Sequence, residues 1–295
     1  MDMSCPHLVL DTNLFNHSSL VKLKTLADRG FTIRISEVAF FEQLSGFFVR
    51  KGETEEKSLE KFVELVVAVD PCLDRATPVA IGGANLTRRI EAQANGLAPD
   101  KKTEVWSTGL NNRWRNTVRD GLTLEKWRQI GGMAKKQLDD ARCNYTRLCG
   151  DADVQLTGVR WEAIGDEERR VGLRTFLRES WDLSDAAAER LDAQICANCC
   201  RLYAAIKGSR QPHRNDGIDV NLTIHIGERG ILLTNDCKLI KLVDGSGTYQ
   251  RPWVRRPDDI VVGRFRAPQG PPWGPSAREE NRTFTRDPFT ETTAP

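Results

Sequence analysis

Two acids follow apolar runs near opposite ends of the chain. Asp11 closes Leu8-Val9-Leu10, and Asp236 follows Ile231-Leu232-Leu233-Thr234-Asn235. Unbroken apolar runs of this length suit strands buried on both faces, and open α/β sheets gather ligands at the carboxyl ends of such strands. Glu42 lies beside Phe40 and Phe41 in a hydrophobic helical stretch, where an acid requires water or a cation. Asp219 immediately precedes a short apolar helix, and Asp216 stands three residues before it. Two unit charges 4 Å apart repel by about 4 kcal/mol at an effective dielectric of 20. Clustered, the four acids Asp11, Glu42, Asp219 and Asp236 must therefore take up protons or hold cations. Mg²⁺ or Mn²⁺ suits an all-carboxylate set, and a pair of such ions supports attack of water on a phosphodiester. Read alone, Asp11 is better explained as a helix cap than as a catalytic acid. Glu37, in the first turn of the segment that carries Glu42, is accounted for by the helix dipole.

These acids need elements to hold them. Leu14–Ala27 reads as a helix ended by Gly30, Phe31–Ile35 as a short strand, and Glu37–Phe48 as a helix capped by Ser36. Near the other end, Val220–Glu228 reads as a short helix, Ile231–Thr234 as a strand, Lys238–Val243 as a helix and Asp259–Val262 as a last strand. The middle is expected to be helical around Ser58–Val69, Leu86–Asn95, Leu122–Leu148, Glu167–Glu179 and Ala186–Ile206, with Pro78–Asn85 as loop. The expected organisation is an α/β core from residues 1–50 and 208–265, a helical insertion over 51–207, and a disordered proline-rich tail over 266–295.

The insertion has chemistry of its own. Lys101 to Arg142 holds ten Lys/Arg against five Asp/Glu, interleaved with Trp106, Trp114 and Trp127. Arg113, Arg115, Lys126 and Arg128 are candidates for phosphate contacts, with the tryptophans as stacking surfaces. The alternative is a solvated helical surface whose tryptophans point inward. Cys196-Ala-Asn-Cys199, with Cys143 and Cys149 upstream, has a zinc-like spacing. Its place inside a helix favours buried free thiols instead.

The 295 residues allow one large domain or two, and a net charge of +2 leaves any basic surface to local clustering. The N-terminus carries no basic-then-apolar leader, and no apolar run reaches the roughly 18–20 residues of a membrane span. The expectation is a soluble, cytoplasmic protein with reduced thiols.

With both acid-tipped strands in place, the chain resembles the PIN-domain ribonucleases. Leu8-Val9-Leu10-Asp11-Thr12-Asn13 is similar to that family's strand ending in Asp-Thr-Asn, and Glu42 looks like its helical glutamate. Asp219 through Gly230 to Leu232-Leu233-Thr234-Asn235-Asp236 resembles its acid, short helix, glycine, strand and Thr-x-Asp ending. Asp219 suits the third acid better than Asp216 by its spacing to that ending. The resemblance covers about residues 7–48 and 214–243 and departs in the long stretch between Glu42 and Asp219, more than half of the chain. It implies a three-layer core with a central parallel sheet and a metal-dependent endoribonuclease of toxin-like kind. It also implies four metal-binding acids supported by Thr234 and Asn13. An antitoxin-like protein inhibitor and a homodimer would both be in keeping with it. Two other readings remain. One is a catalytically inactive scaffold that binds RNA or a protein through the insertion. The other is a phosphatase of the haloacid-dehalogenase type, which needs a second Asp where this chain has Asn13.

Overall fold

A computed structural model describes residues 7–45, 53–157, 165–207 and 216–261, the side chains of 153–157 excepted. The expected tail over 266–295 and the end of the expected helix at 46–48 lie outside these residues. In chain order the elements are β1 (His7–Leu10), α1 (Leu20–Asp28), β2 (Ile33–Ser36), α2 (Glu37–Leu44), α3 (Glu55–Val69) and β3 (Val79–Ala80). Next come α4 (Gly83–Ala94), α5 (Lys101–Asp120), α6 (Leu124–Thr157), α7 (Asp166–Ser180), α8 (Asp185–Arg190) and α9 (Asp192–Ile206). The last are α10 (Asp216–Asn221), β4 (Gly230–Leu233), α11 (Cys237–Gly245), β5 (Val254–Arg255) and α12 (Pro257–Val261).

The five strands form one all-parallel sheet in the order β3-β2-β1-β4-β5. The protein is thus α/β, and the two acid-tipped runs are neighbours at its centre, with Leu8 opposite Ile231 and Leu10 opposite Leu233. Successive strand residues point to opposite faces. Leu8, Val9, Leu10, Ile231, Leu232 and Leu233 are all fully buried, so both faces of the central strands are covered. The parallel pairing also brings the carboxyl ends of β1, β2 and β4 to one edge.

The structure corrects several sequence expectations. The helix expected from Leu14 begins only at Leu20, after 3-10 turns at Thr12–Leu14 and His17–Ser19. Asn16 is the reason, because its side-chain oxygen accepts from the Ser19 N–H at 3.0 Å and caps the chain locally. Val79–Ala80, within the segment read as loop, is a buried edge strand on β2. The sheet therefore draws one strand from the middle of the chain. Lys101–Asp120 is a separate helix closed by Gly121, whose φ of +68° suits glycine. Ala186–Ile206 is likewise two helices, broken at Leu191. The expected last strand at Asp259–Val262 is instead helix α12 over its described residues, and the strand is Val254–Arg255.

The long helix α6 braces both halves of the acidic edge. A methyl group at Gly131 would lie 2.5 Å from the Leu44 carbonyl oxygen, at the end of α2. One at Gly217, in α10, would lie 2.6 Å from Tyr145 Cβ of α6. Absent side chains let α6 approach closely both the helix that carries Glu42 and the helix that carries Asp219.

Candidate acidic site at the carboxyl edge of the sheet

Asp11 follows β1 and is 6 % exposed. Its Oδ1 accepts the Thr12 N–H, and its Oδ2 accepts the Thr234 hydroxyl at 2.6 Å and the Asn13 side-chain amide. Thr234, at the end of β4, also accepts from the Asp236 N–H at 2.9 Å and from Asn13 Nδ2 at 3.0 Å. Asn13 Oδ1 accepts the Asn235 N–H at 2.8 Å. The two central strand ends are thus tied by one polar network, which fixes the Asp11 carboxylate. Asp236 caps α11, accepting the Lys238 and Leu239 N–H groups at 2.7 and 3.3 Å. Thr12 donates its hydroxyl to Glu42 Oε2, which links the loop after β1 to α2.

All four acids line a single cavity of about 840 Å³. Burial lifts Asp11 to a pKa of about 6, against the opposing hydrogen bonds from Thr234 and Thr12, with Glu42 and Asp236 adding to the rise. Burial also raises Glu42, while Thr12 and the Arg142 guanidinium hold it down. Asp219 rises to about 7, first through burial and then through the charges of Asp236, Asp11, Asp216 and Glu42. The donor set is all oxygen and of one sign, which fits a hard divalent cation in charge and atom type. Its arrangement is looser than a closed coordination shell. Among the described residues, no three or more His, Cys, Asp or Glu side chains are grouped to hold a metal ion.

The other candidates fall elsewhere. Asp216 is buried and pairs with Arg201 at 3.5 Å, and it does not line the cavity, although its charge adds to the rise of Asp219. Arg113, Arg115, Lys126 and Arg128 do not line the cavity. Arg115 donates to the Ala76 carbonyl, and Arg128 pairs with Glu55 at 2.6 Å. Trp114 is fully buried and donates to Asp70 at 2.7 Å, so its ring faces the core, whereas Trp127, 5 % exposed, lines the acidic cavity itself. Cys196 and Cys199 are buried free thiols of α9, with Cys199 pushed up to about 12 by burial.

Sequence reasoning passed over Thr12, although it lies within the quoted motif, and Arg142, whose role depends on how α6 packs. It also passed over the nature of Glu37. That side chain is 6 % exposed, accepts the Gly82 N–H at 2.7 Å and the Trp106 indole N–H at 2.9 Å, and is lifted to about 7 by burial. The helix dipole is therefore not its main partner. No described helix is long and apolar enough to cross a membrane. No protein-family model matches the chain, and neither a curated protein nor a solved structure matches it significantly.

Proposed function

We propose that the chain is a metal-dependent endoribonuclease with a PIN-like core, cutting RNA phosphodiester bonds at the acidic cavity. One observation carries this proposal: Asp11, Glu42, Asp219 and Asp236, drawn from both ends of the chain, line one cavity at the carboxyl edge of a parallel sheet. In this reading the four carboxylates hold Mg²⁺ or Mn²⁺, which when bound supplies a water of lowered pKa and offsets negative charge on the phosphate. The chain's own groups prepare the site. Thr234 and Asn13 fix the Asp11 carboxylate, and Thr12 fixes Glu42. Asp219 holds a proton up to about pH 7 in the metal-free protein and gives it up when a cation neutralises its neighbours. The Arg113, Arg115, Lys126 and Arg128 surface guides RNA from outside the cavity, and a cytoplasmic setting, an antitoxin-like inhibitor and a homodimer belong to the same proposal.

A second reading, the inactive scaffold, is favoured by the loose grouping of the acids and by the internal donors already on Asp11 and Glu42. Incubating the purified protein with labelled single-stranded RNA, with Mn²⁺ or with chelator, separates them. The nuclease reading expects internal cuts that the chelator abolishes. Intact RNA at saturating Mn²⁺ would leave the scaffold.

A further inference from the structure

A second cavity, of about 480 Å³, opens among α4, α6, α9 and α10 and shares no lining residue with the acidic one. Its volume is that of a small-molecule site. Its lining differs in kind: side-chain amides and aromatic rings replace carboxylates. Gln194 and Asn198 are each 3 % exposed, an unusual depth for two amides on one helix. Gln194 Nε2 donates to Asn221 Oδ1 at 3.1 Å, and Asn198 Nδ2 donates to the Gln194 carbonyl at 2.9 Å. Gln194 Oε1 is buried without a hydrogen-bond partner among the described residues. A desolvated acceptor of this kind is unfavourable until a donor reaches it. Tyr145 and Trp181 add aromatic surface to the same lining. Arg147 and Arg88 are exposed on the rim, Arg88 sharing its charge with Asp100 at 3.4 Å, and Asp151 is the carboxylate beside them.

Amides that offer both donors and acceptors, set beside aromatic rings, are the means by which proteins hold an unstacked base by its edge and face. We infer that this cavity binds a nucleotide, with the base among Gln194, Asn198, Tyr145 and Trp181 and the phosphate at Arg147 and Arg88. The inference does not depend on the nuclease reading, because none of the four acids lines the cavity. Either a free mononucleotide or the terminal nucleotide of an RNA strand supplies this chemistry.

Calorimetric titration of the full chain tests it, using the four ribonucleoside 5′-monophosphates, their nucleosides and a short oligoribonucleotide. At least one nucleotide should bind saturably below about 1 mM, Gln194→Leu should weaken it about tenfold, and Asp11→Asn should leave it unchanged. Arg147→Ala should weaken the nucleotide but not its nucleoside. Binding of the mononucleotide as tight as that of the oligonucleotide identifies a free nucleotide as ligand, whereas binding of the oligonucleotide alone identifies a strand end. If Gln194→Leu fails to fold, Trp181→Ala and Arg147→Ala decide, and unchanged affinity in both overturns the proposal. No saturable binding up to about 5 mM, or binding lost in Asp11→Asn and kept in a folded Gln194→Leu, also overturns it.

Discussion

Burial lifts both Glu37 and Asp219 to about 7, yet the two regions that hold them differ in what faces the carboxylate. Glu37 sits where the start of α2 meets the loop before α4 and the indole of Trp106, and its two oxygens accept one N–H each. Its rise comes from burial alone, partly offset by those donors. Asp219 faces a cavity, and after burial its rise comes from four other carboxylates. The first arrangement is structural, since removing the acid strands two donors. The second stores repulsion between carboxylates, and a group perturbed both by burial and by neighbouring charges in a cleft is a functional-site candidate. A shifted pKa gains meaning only with the identity of what shifts it.

The largest effect that would sharpen this contrast lies at Asp236. Asn also caps helices, so Asp236→Asn should keep α11 and the fold while lowering RNA cleavage by at least about a thousandfold, measured as single-turnover rate. Full activity in this variant would remove Asp236 from the cavity's chemistry. Next is Glu37→Ala, which leaves the Gly82 and Trp106 N–H groups without their acceptor. It should lower stability by about 2–4 kcal/mol in urea unfolding. A neutral result would mean water replaces the carboxylate at no cost. Gly131→Ala should cost about 1–3 kcal/mol, because the added methyl meets a backbone carbonyl and α6 must move off α2. Cleavage should fall with it, as Glu42 shifts relative to Asp219.

A smaller effect separates the two acids by pH. The folded chain keeps a proton on Asp219 to about pH 7 and on Asp11 to about pH 6, whereas both ordinarily release it near 3.8. Between these limits the native state binds more protons than the unfolded one, so stability falls as pH rises from about 4 to about 7. Asp219→Asn should therefore stabilise the metal-free protein at pH 8 by about 1–2 kcal/mol, and saturating Mg²⁺ should flatten the wild-type slope by the same part. The share belonging to Glu37 should persist in Mg²⁺. The smallest effect is expected at the basic surface. Replacing Arg113, Arg115, Lys126 and Arg128 by Ala should weaken RNA binding and reduce its salt slope by at most about one for each phosphate left without its cation.

What the sequence reveals follows from how each element is stabilised. β1 and β4 are legible because Leu8–Leu10 and Ile231–Leu233 are unbroken apolar runs, as suits strands covered on both faces. β3 is not, because two residues after Pro78 carry no periodicity; pairing with β2 defines it. The short run Ile260-Val261 suits strand or helix alike, and packing of α12 on α1 decides for helix. Of the acids, Asp11 and Asp236 announce themselves by position after strands. Position along the helix separates Glu37 from Glu42 in sequence, but the donors that hold Glu37, from Gly82 and Trp106, come from distant segments and leave no local signal. The amide-lined cavity leaves no local signal, since Gln194, Asn198 and Asn221 meet through the packing of α9 against α10.

The central claim is that the Asp11 carboxylate and its three partners perform metal-dependent phosphodiester hydrolysis. Asp11→Asn is nearly isosteric and keeps one acceptor oxygen, which can serve the Thr12 N–H or the Thr234 hydroxyl but not both, so its fold should match the wild type by circular dichroism at the cost of about one hydrogen bond. Labelled single-stranded RNA incubated with both proteins, in Mn²⁺ and in chelator, gives the most direct answer. Cuts are expected only by the wild type and only with Mn²⁺. Equal cleavage by Asp11→Asn, with or without the metal, would contradict the claim.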